Sequence, residues 1–223
     1  MISKPDKSML PAARRKLAER GPHIEREITE YYNAMIRNLR LRTYLAQDRV
    51  ALGVCAAPGC GAASVIASNL AICLANSTER NLLFVNADPM NRVPEVVFRN
   101  EAPSEGIYDV LLNDTPFRET IRESHIANLF TITPGRSTDD ITSVSCMVRF
   151  RGLLDQLRDE FSMVLVGLPV ASELTPCFDM ATELDGVIVE FESDRVKRSV
   201  AKATVDQLNA AGANLLGCVF KQL

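Results

Sequence analysis

Nine residues, Ala56-Ala57-Pro58-Gly59-Cys60-Gly61-Ala62-Ala63-Ser64, stand between an apolar run and an Ala-rich stretch of helical composition. Two close glycines let backbone N–H groups turn toward one point, and a helix start adds partial positive charge. The segment therefore has the shape of a phosphate cradle, a P-loop. Phosphate chemistry on such a loop needs a Lys after the last glycine to neutralise the β and γ phosphates, then a Ser or Thr to hold Mg²⁺. Those two places are Ala62 and Ala63. Ser64 follows, and its hydroxyl is expected to cap the helix. Between Lys16 and Lys197 the chain has no lysine at all. Each missing charge-assisted hydrogen bond removes ~1.5–3 kcal/mol, so losing the Lys and the metal ligand together weakens ATP binding by several orders of magnitude. Arg92 and the basic N-terminal residues remain as candidate replacements.

Other chemistries are poorly served. The six cysteines (Cys55, Cys60, Cys73, Cys146, Cys177 and Cys218) form no CxxC pair and lie far from His23 and His125, which argues against a zinc site or a disulfide framework. No metal is expected. Cys60, at the loop tip near a helix start, reads either as a reactive thiol or as a space-filling one. Gly59-Cys60-Gly61 with Asp88 downstream faintly suggests a dinucleotide site, but the third glycine is missing and the loop is long for that motif. Neither His stands in a nucleophile-elbow arrangement. Tyr31 and Tyr32 could accept phosphate from another kinase, though on a helix stripe they read first as an interface.

The elements that must position this loop are legible in the hydropathy. Short apolar runs, Val50–Ala56, Leu82–Val85, Leu129–Thr133, Met163–Val166, Val187–Val189 and Leu215–Phe220, alternate with helical stretches. Runs apolar on both faces imply a parallel sheet covered on both sides, hence an α/β, doubly wound, mostly parallel fold. Expected helices are Ala62–Ala75, a long one capped by Ser137 and Asp140 and ending near Phe161, and Arg195–Ala211 stopped by Gly212. Ahead of them, residues 1–23 read as a basic flexible arm and 24–45 as a docking helix, leaving 46–223 as the α/β domain. The docking helix carries a stripe of Ile28, Tyr32, Met35, Ile36 and Leu39. Residues 1–42 hold ten Lys or Arg against five acids, and the remainder fifteen against twenty-three. A basic arm on an acidic body suits an anionic surface or a neighbouring copy, and the lack of basic–aromatic interleaving argues against nucleic acid. No apolar run reaches the ~20 residues that span a bilayer.

From Glu30 to Lys221 the order of segments resembles the cytoplasmic domain of the bacterial tyrosine kinases of capsule and exopolysaccharide synthesis, relatives of the partitioning and septum-positioning ATPases. The resemblance rests on the loop, Ser68-Asn69-Leu70-Ala71, Asn86-Ala87-Asp88 where the family has Asp-Ala-Asp, and Gly106 to Leu112. It continues through Thr133-Pro134-Gly135, Leu153 to Leu157, Leu168-Pro169-Val170, Asp185-Gly186-Val187 and Leu216 to Val219. The departures fall on working residues: Ala62 for Lys, Ala63 for Ser, Asn86 for the first Asp, and Gly167 for the Asp of the metal-site strand. Only Asp88 keeps the family's acidic type.

The resemblance implies a P-loop NTPase-like fold with a degenerate loop (Gly59, Cys60, Gly61, Ala62, Ala63, Ser64) and degenerate metal positions (Asn86, Asp88, Gly167), Arg92 being a candidate anion contact. It implies a noncatalytic regulator or scaffold of exopolysaccharide synthesis with no resident cofactor, binding nucleotide, phosphate or sulfate weakly at most. The alternatives are an ATPase or kinase with a displaced site using Asp88, Arg92 and Ser64, or a partitioning-type relative. The family's oligomerising Glu-x-x-Arg-x-x-Arg aligns with Glu30, Asn33 and Ile36, with Arg37 and Arg40 one turn away. Those residues and Tyr32 form the expected partner interface, toward a membrane-embedded polysaccharide co-polymerase (chain-length regulator) or another copy of the chain. The expected location is cytoplasmic, peripheral at the inner membrane through that partner. The family's tyrosine tail has no counterpart in Lys221-Gln222-Leu223, so tail self-phosphorylation is not expected.

Overall fold

A computed structural model describes residues 26–41, 49–61, 63–90, 105–136, 141–172 and 174–221. The expected capping pair Ser137 and Asp140, the candidate contact Arg92, loop residue Ala62 and the basic arm lie outside the described residues.

The apolar runs become strands β1 (Val50–Ala56), β2 (Leu82–Asn86), β4 (Leu129–Ile132), β5 (Met163–Gly167), β6 (Gly186–Glu192) and β7 (Leu215–Lys221), joined by a two-residue β3 (Arg122–Glu123). They form one seven-stranded sheet in the order β3-β4-β2-β5-β1-β6-β7. Every neighbouring pair is parallel except β3 with β4. Strands β1, β2 and β6 are buried along their whole length, as a sheet covered on both faces requires.

One face packs α1 (Arg26–Leu41) and α2 (Ala63–Asn76) onto Val50, Leu52, Val54, Phe84 and Leu165. The other packs α3 (Ile107–Asn113), α5 (Val144–Glu160), α6 (Cys177–Thr182) and α7 (Arg198–Ala211) onto Ala51, Cys55, Leu83, Val85 and Val189. A short α4 (Phe117–Thr120) leads into β3. The fold is the doubly wound α/β arrangement that the alternation implies.

Two local readings are corrected. The long helix starts at Val144, where the Ser143 hydroxyl accepts the Cys146 N–H at 3.3 Å, rather than at a Ser137–Asp140 box. Strand β6 runs three residues beyond Val189, because Glu190 and Glu192 are buried and keep the period-two alternation.

The apolar stripe of α1 also finds a different partner. Tyr32, Ile36 and Leu39 are buried in the core cluster beneath α2, and the Tyr32 hydroxyl accepts from Asn69 at 3.3 Å. Each such burial contributes ~1.5–3 kcal/mol, so α1 is part of the domain it covers. Tyr32 and Ile36 are therefore not a free docking face. The exposed side of α1 carries Glu30, Tyr31, Asn33 and Arg37. Among the described residues no helix is long and apolar enough to cross a membrane.

Candidate functional site

In a doubly wound sheet the ligand crevice opens at the carboxyl ends of the central strands. Here β5, β1 and β6 are neighbours there, and the loop leaves β1 directly into α2. Ala57 N–H donates to the Glu190 carbonyl at 3.0 Å and Cys60 N–H to the Ala57 carbonyl at 3.1 Å, so the loop is tied down at its root and turns tightly. Gly59 has φ +88°, with open space around it, and the turn requires a glycine there. Over residues 57–61 the tight turn of the loop is thus kept.

The three metal-site positions gather at the same edge. Gly167 ends β5 and is in register with Val54 of β1 and Asn86 of β2. Ala87 N–H donates to the Gly167 carbonyl at 2.8 Å. A Cβ on Gly167 would touch Phe84 at 3.4 Å and Ala67 at 3.5 Å, so the slot for a carboxylate faces hydrocarbon. Asn86 accepts the Asp88 N–H at 3.2 Å, and Asp88 accepts the Met90 N–H at 3.0 Å. Both side chains are buried and already serve the turn after β2. Tyr108 reinforces that turn by donating its hydroxyl to the Ala87 carbonyl at 2.6 Å, and burial drives its pKa upward.

The neighbouring motifs act as clamps. Asp109 accepts from Gly106 N–H at 2.8 Å and Arg136 N–H at 3.1 Å, while Ile107 N–H reaches the Thr133 carbonyl at 2.8 Å. Gly135, at φ +88°, lies so close to the Asp109 carboxylate and the Gly106 backbone that no side chain fits.

Two expectations for the loop change. Ser64, the second residue of α2, is buried, and its hydroxyl has no partner among the described residues, so it does not cap the helix. Cys60 donates its thiol to the Glu190 carbonyl at 3.6 Å and accepts the Glu192 N–H at 3.3 Å. Its thiol is pushed up, chiefly by burial and further by Glu190 and Glu192, which removes the reactive-thiolate reading.

Sequence reasoning missed the acidic pair beside the loop. Glu190 is 1% exposed and Glu192 3%. Neither Glu190 carboxylate oxygen has a hydrogen-bond partner among the described residues, and burial raises its pKa to about 7. Glu192 Oε1 lies 3.4 Å from where a Cβ on Gly61 would sit. The available signal was Glu-Phe-Glu continuing the alternation of Val187-Ile188-Val189.

Backbone, topology and loop define a P-loop NTPase-type domain. Its residues do not fit Mg²⁺-nucleotide: the cation and hydroxyl places are Ala62 and Ala63, the metal-site strand ends in Gly167, and the loop is flanked by carboxylates. Among the described residues no group of three or more His, Cys, Asp or Glu is placed to hold a metal ion.

The particular likeness is to bacterial tyrosine kinases. No family model matches the chain. A putative tyrosine-protein kinase CapB of Staphylococcus aureus is 19% identical over 161 residues, 72% of this chain and 69% of that protein. A putative tyrosine-protein kinase EpsB of Ralstonia nicotianae is 25% identical over 166 residues, 74% of this chain and 22% of that protein, so the chain spans about a fifth of that relative. The kinase domain of the Escherichia coli tyrosine kinase ETK superposes with a TM-score of 0.77 at 19% identity, covering 88% of this chain and 76% of that one. The same fold extends to the cell division ATPase MinD of Pyrococcus furiosus, with a TM-score of 0.61, 17% identity, and 77% and 71% coverage. The chain has the fold of these kinase domains, as its ordered motifs imply.

Proposed function

We propose that this protein is a noncatalytic regulator or scaffold of bacterial exopolysaccharide synthesis and export, a pseudokinase acting in the cytoplasm at the inner membrane. The observation that carries the reading is a loop that keeps its turn over residues 57–61 while the working positions on it and on the neighbouring strands are Ala62, Ala63, Asn86 and Gly167. Replacing the cation, the metal hydroxyl and two carboxylates together leaves only Asp88 of the groups that would act on the same Mg²⁺-nucleotide complex, and such groups act as a unit. The polysaccharide role is supported by the ordered motifs that resemble the kinases of capsule and exopolysaccharide synthesis, together with likeness to the putative tyrosine-protein kinases CapB and EpsB.

The partner is a membrane-embedded polysaccharide co-polymerase, contacted through the exposed side of α1 at Glu30, Asn33 and Arg37, with Arg40 one turn on; self-assembly through the same helix is the alternative use of that surface. A displaced ATP site is less well supported, since Asp88 is buried and already engaged by the turn after β2. The deciding experiment is turnover of ATP and transfer to tyrosine by purified protein with Mg²⁺. Activity above background that disappears in D88N overturns the reading.

A further inference from the structure

We propose that Glu192, backed by Glu190, closes the loop to phosphate by holding the two cations that the fold brings beside it. The inference rests on the noncatalytic reading above and gives it a physical agent beyond the missing lysine. Strand β7 pairs with β6 so that Lys221 stands in register with Glu192. A residue near the end of the chain is thereby delivered to the loop, in a sequence with no lysine from position 17 to 196. Lys221 Nζ lies 3.7 Å from Glu192 Oε1, and Arg195 Nη1 lies 3.4 Å from Oε2. Both basic side chains are substantially exposed, 39% and 59%, whereas the carboxylate between them is 3% exposed.

These cations are latent substitutes for the absent loop lysine. Glu192 engages them from the inside, with Oε1 against Gly61, and its own N–H is bound to the Cys60 sulfur at the loop tip. Glu190 sits one alternation back on the same face of β6, level with Ala56 at the root of the loop. A phosphate entering the cradle would have to displace a tethered, buried carboxylate from its cations and then remain beside it, and like charges at that range repel. Conversely, removing the Glu192 charge leaves a Gly-rich turn and a helix start with Arg195 released and Lys221 opposed only by the buried Glu190. That set binds a phosphate group, whether free or at the end of a nucleotide.

The test is calorimetric titration of the full chain with inorganic phosphate and with Mg²⁺-free ATP. Freeing one charge-assisted contact corresponds to about ten- to a hundredfold in affinity. Glu192→Gln is expected to bind both anions at least ~10-fold more tightly than wild type. Adding Lys221→Gln and Arg195→Gln is expected to abolish the gain. Ala62→Lys, which leaves the acidic pair in place, is expected to gain nothing, because the buried Glu192 carboxylate still stands against Gly61. Three results overturn the proposal: Glu192→Gln with a native melting curve and unchanged anion affinity, a gain that survives loss of both cations, or tight ATP binding by Ala62→Lys alone. The last holds even if Glu192→Gln does not fold. ATP turnover by wild type refutes the noncatalytic reading itself, whereas a null result for folded Glu192→Gln refutes the lock and leaves that reading standing.

Discussion

Glu190→Gln isolates the energetic cost of the buried acid. The Glu190 carboxyl is 1% exposed, and neither oxygen has a hydrogen-bond partner among the described residues. Burial is the main cause of its rise to about 7; Glu192 adds to the rise and Lys221 opposes it. An unfolded Glu titrates near ~4.3, so the gap is roughly 2.7 units, an upper limit of ~3.7 kcal/mol at ~1.36 kcal/mol per unit. Relaxation around the ionised group reduces this to about 2–3 kcal/mol. The sign follows from a raised folded-state pKa. Below about pH 4 the acid is protonated in both states and costs nothing; between ~4.3 and ~7 the unfolded chain ionises first and stability falls; above ~7 the full cost persists. Gln copies the protonated acid and does not titrate. The variant is therefore expected to match wild type within ~0.5 kcal/mol at pH 4.5 and to exceed it by about 2–3 kcal/mol at pH 8, or about 4–12 °C in melting temperature. Thermal melts of both proteins across that range decide the matter. An equal difference at both pH values, or a wild type that is the more stable at pH 8, refutes the assignment of an unpartnered buried acid.

Purified protein is expected to show no Mg²⁺-dependent ATP hydrolysis or tyrosine phosphorylation, as read by phosphate release and phosphotyrosine detection. Ile36→Ala, which opens a cavity beneath α1, is expected to cost about 2–5 kcal/mol in urea unfolding, and deletion of residues 1–42 is expected to lower the melting temperature because Tyr32, Ile36 and Leu39 leave with it. Gly135→Ala forces a Cβ onto the Asp109 carboxylate at φ +88° and is expected to destabilise by about 2–3 kcal/mol in the same assay. Arg37→Glu on the exposed side of α1 is expected to leave stability within ~0.5 kcal/mol while weakening co-precipitation with the co-polymerase; undiminished association removes α1 from the interface.

The strand-and-helix alternation, the loop and its missing groups were legible in the residue order. Buried strands of a parallel sheet are apolar on both faces, and a phosphate loop is a local motif whose chemistry resides in adjacent side chains. The clamps around Asp109 and Gly135 and the burial of the α1 stripe were not, because both depend on which distant segment arrives opposite. An amphipathic helix advertises a sticky face without naming its partner, and here α2 takes Tyr32 and Ile36 that a docking reading assigned elsewhere. Glu190 and Glu192 are the sharpest case. As letters after Val189 two carboxylates read as the end of a strand, since burying a charge is costly in isolation. Only the pairing of β6 with β1 on one side and β7 on the other carries them into the interior, and only that register sets Lys221 beside Glu192. The charge state of the loop's surroundings is thus a property of strand order, because electrostatic neighbours are fixed by distance in space and not by distance along the chain.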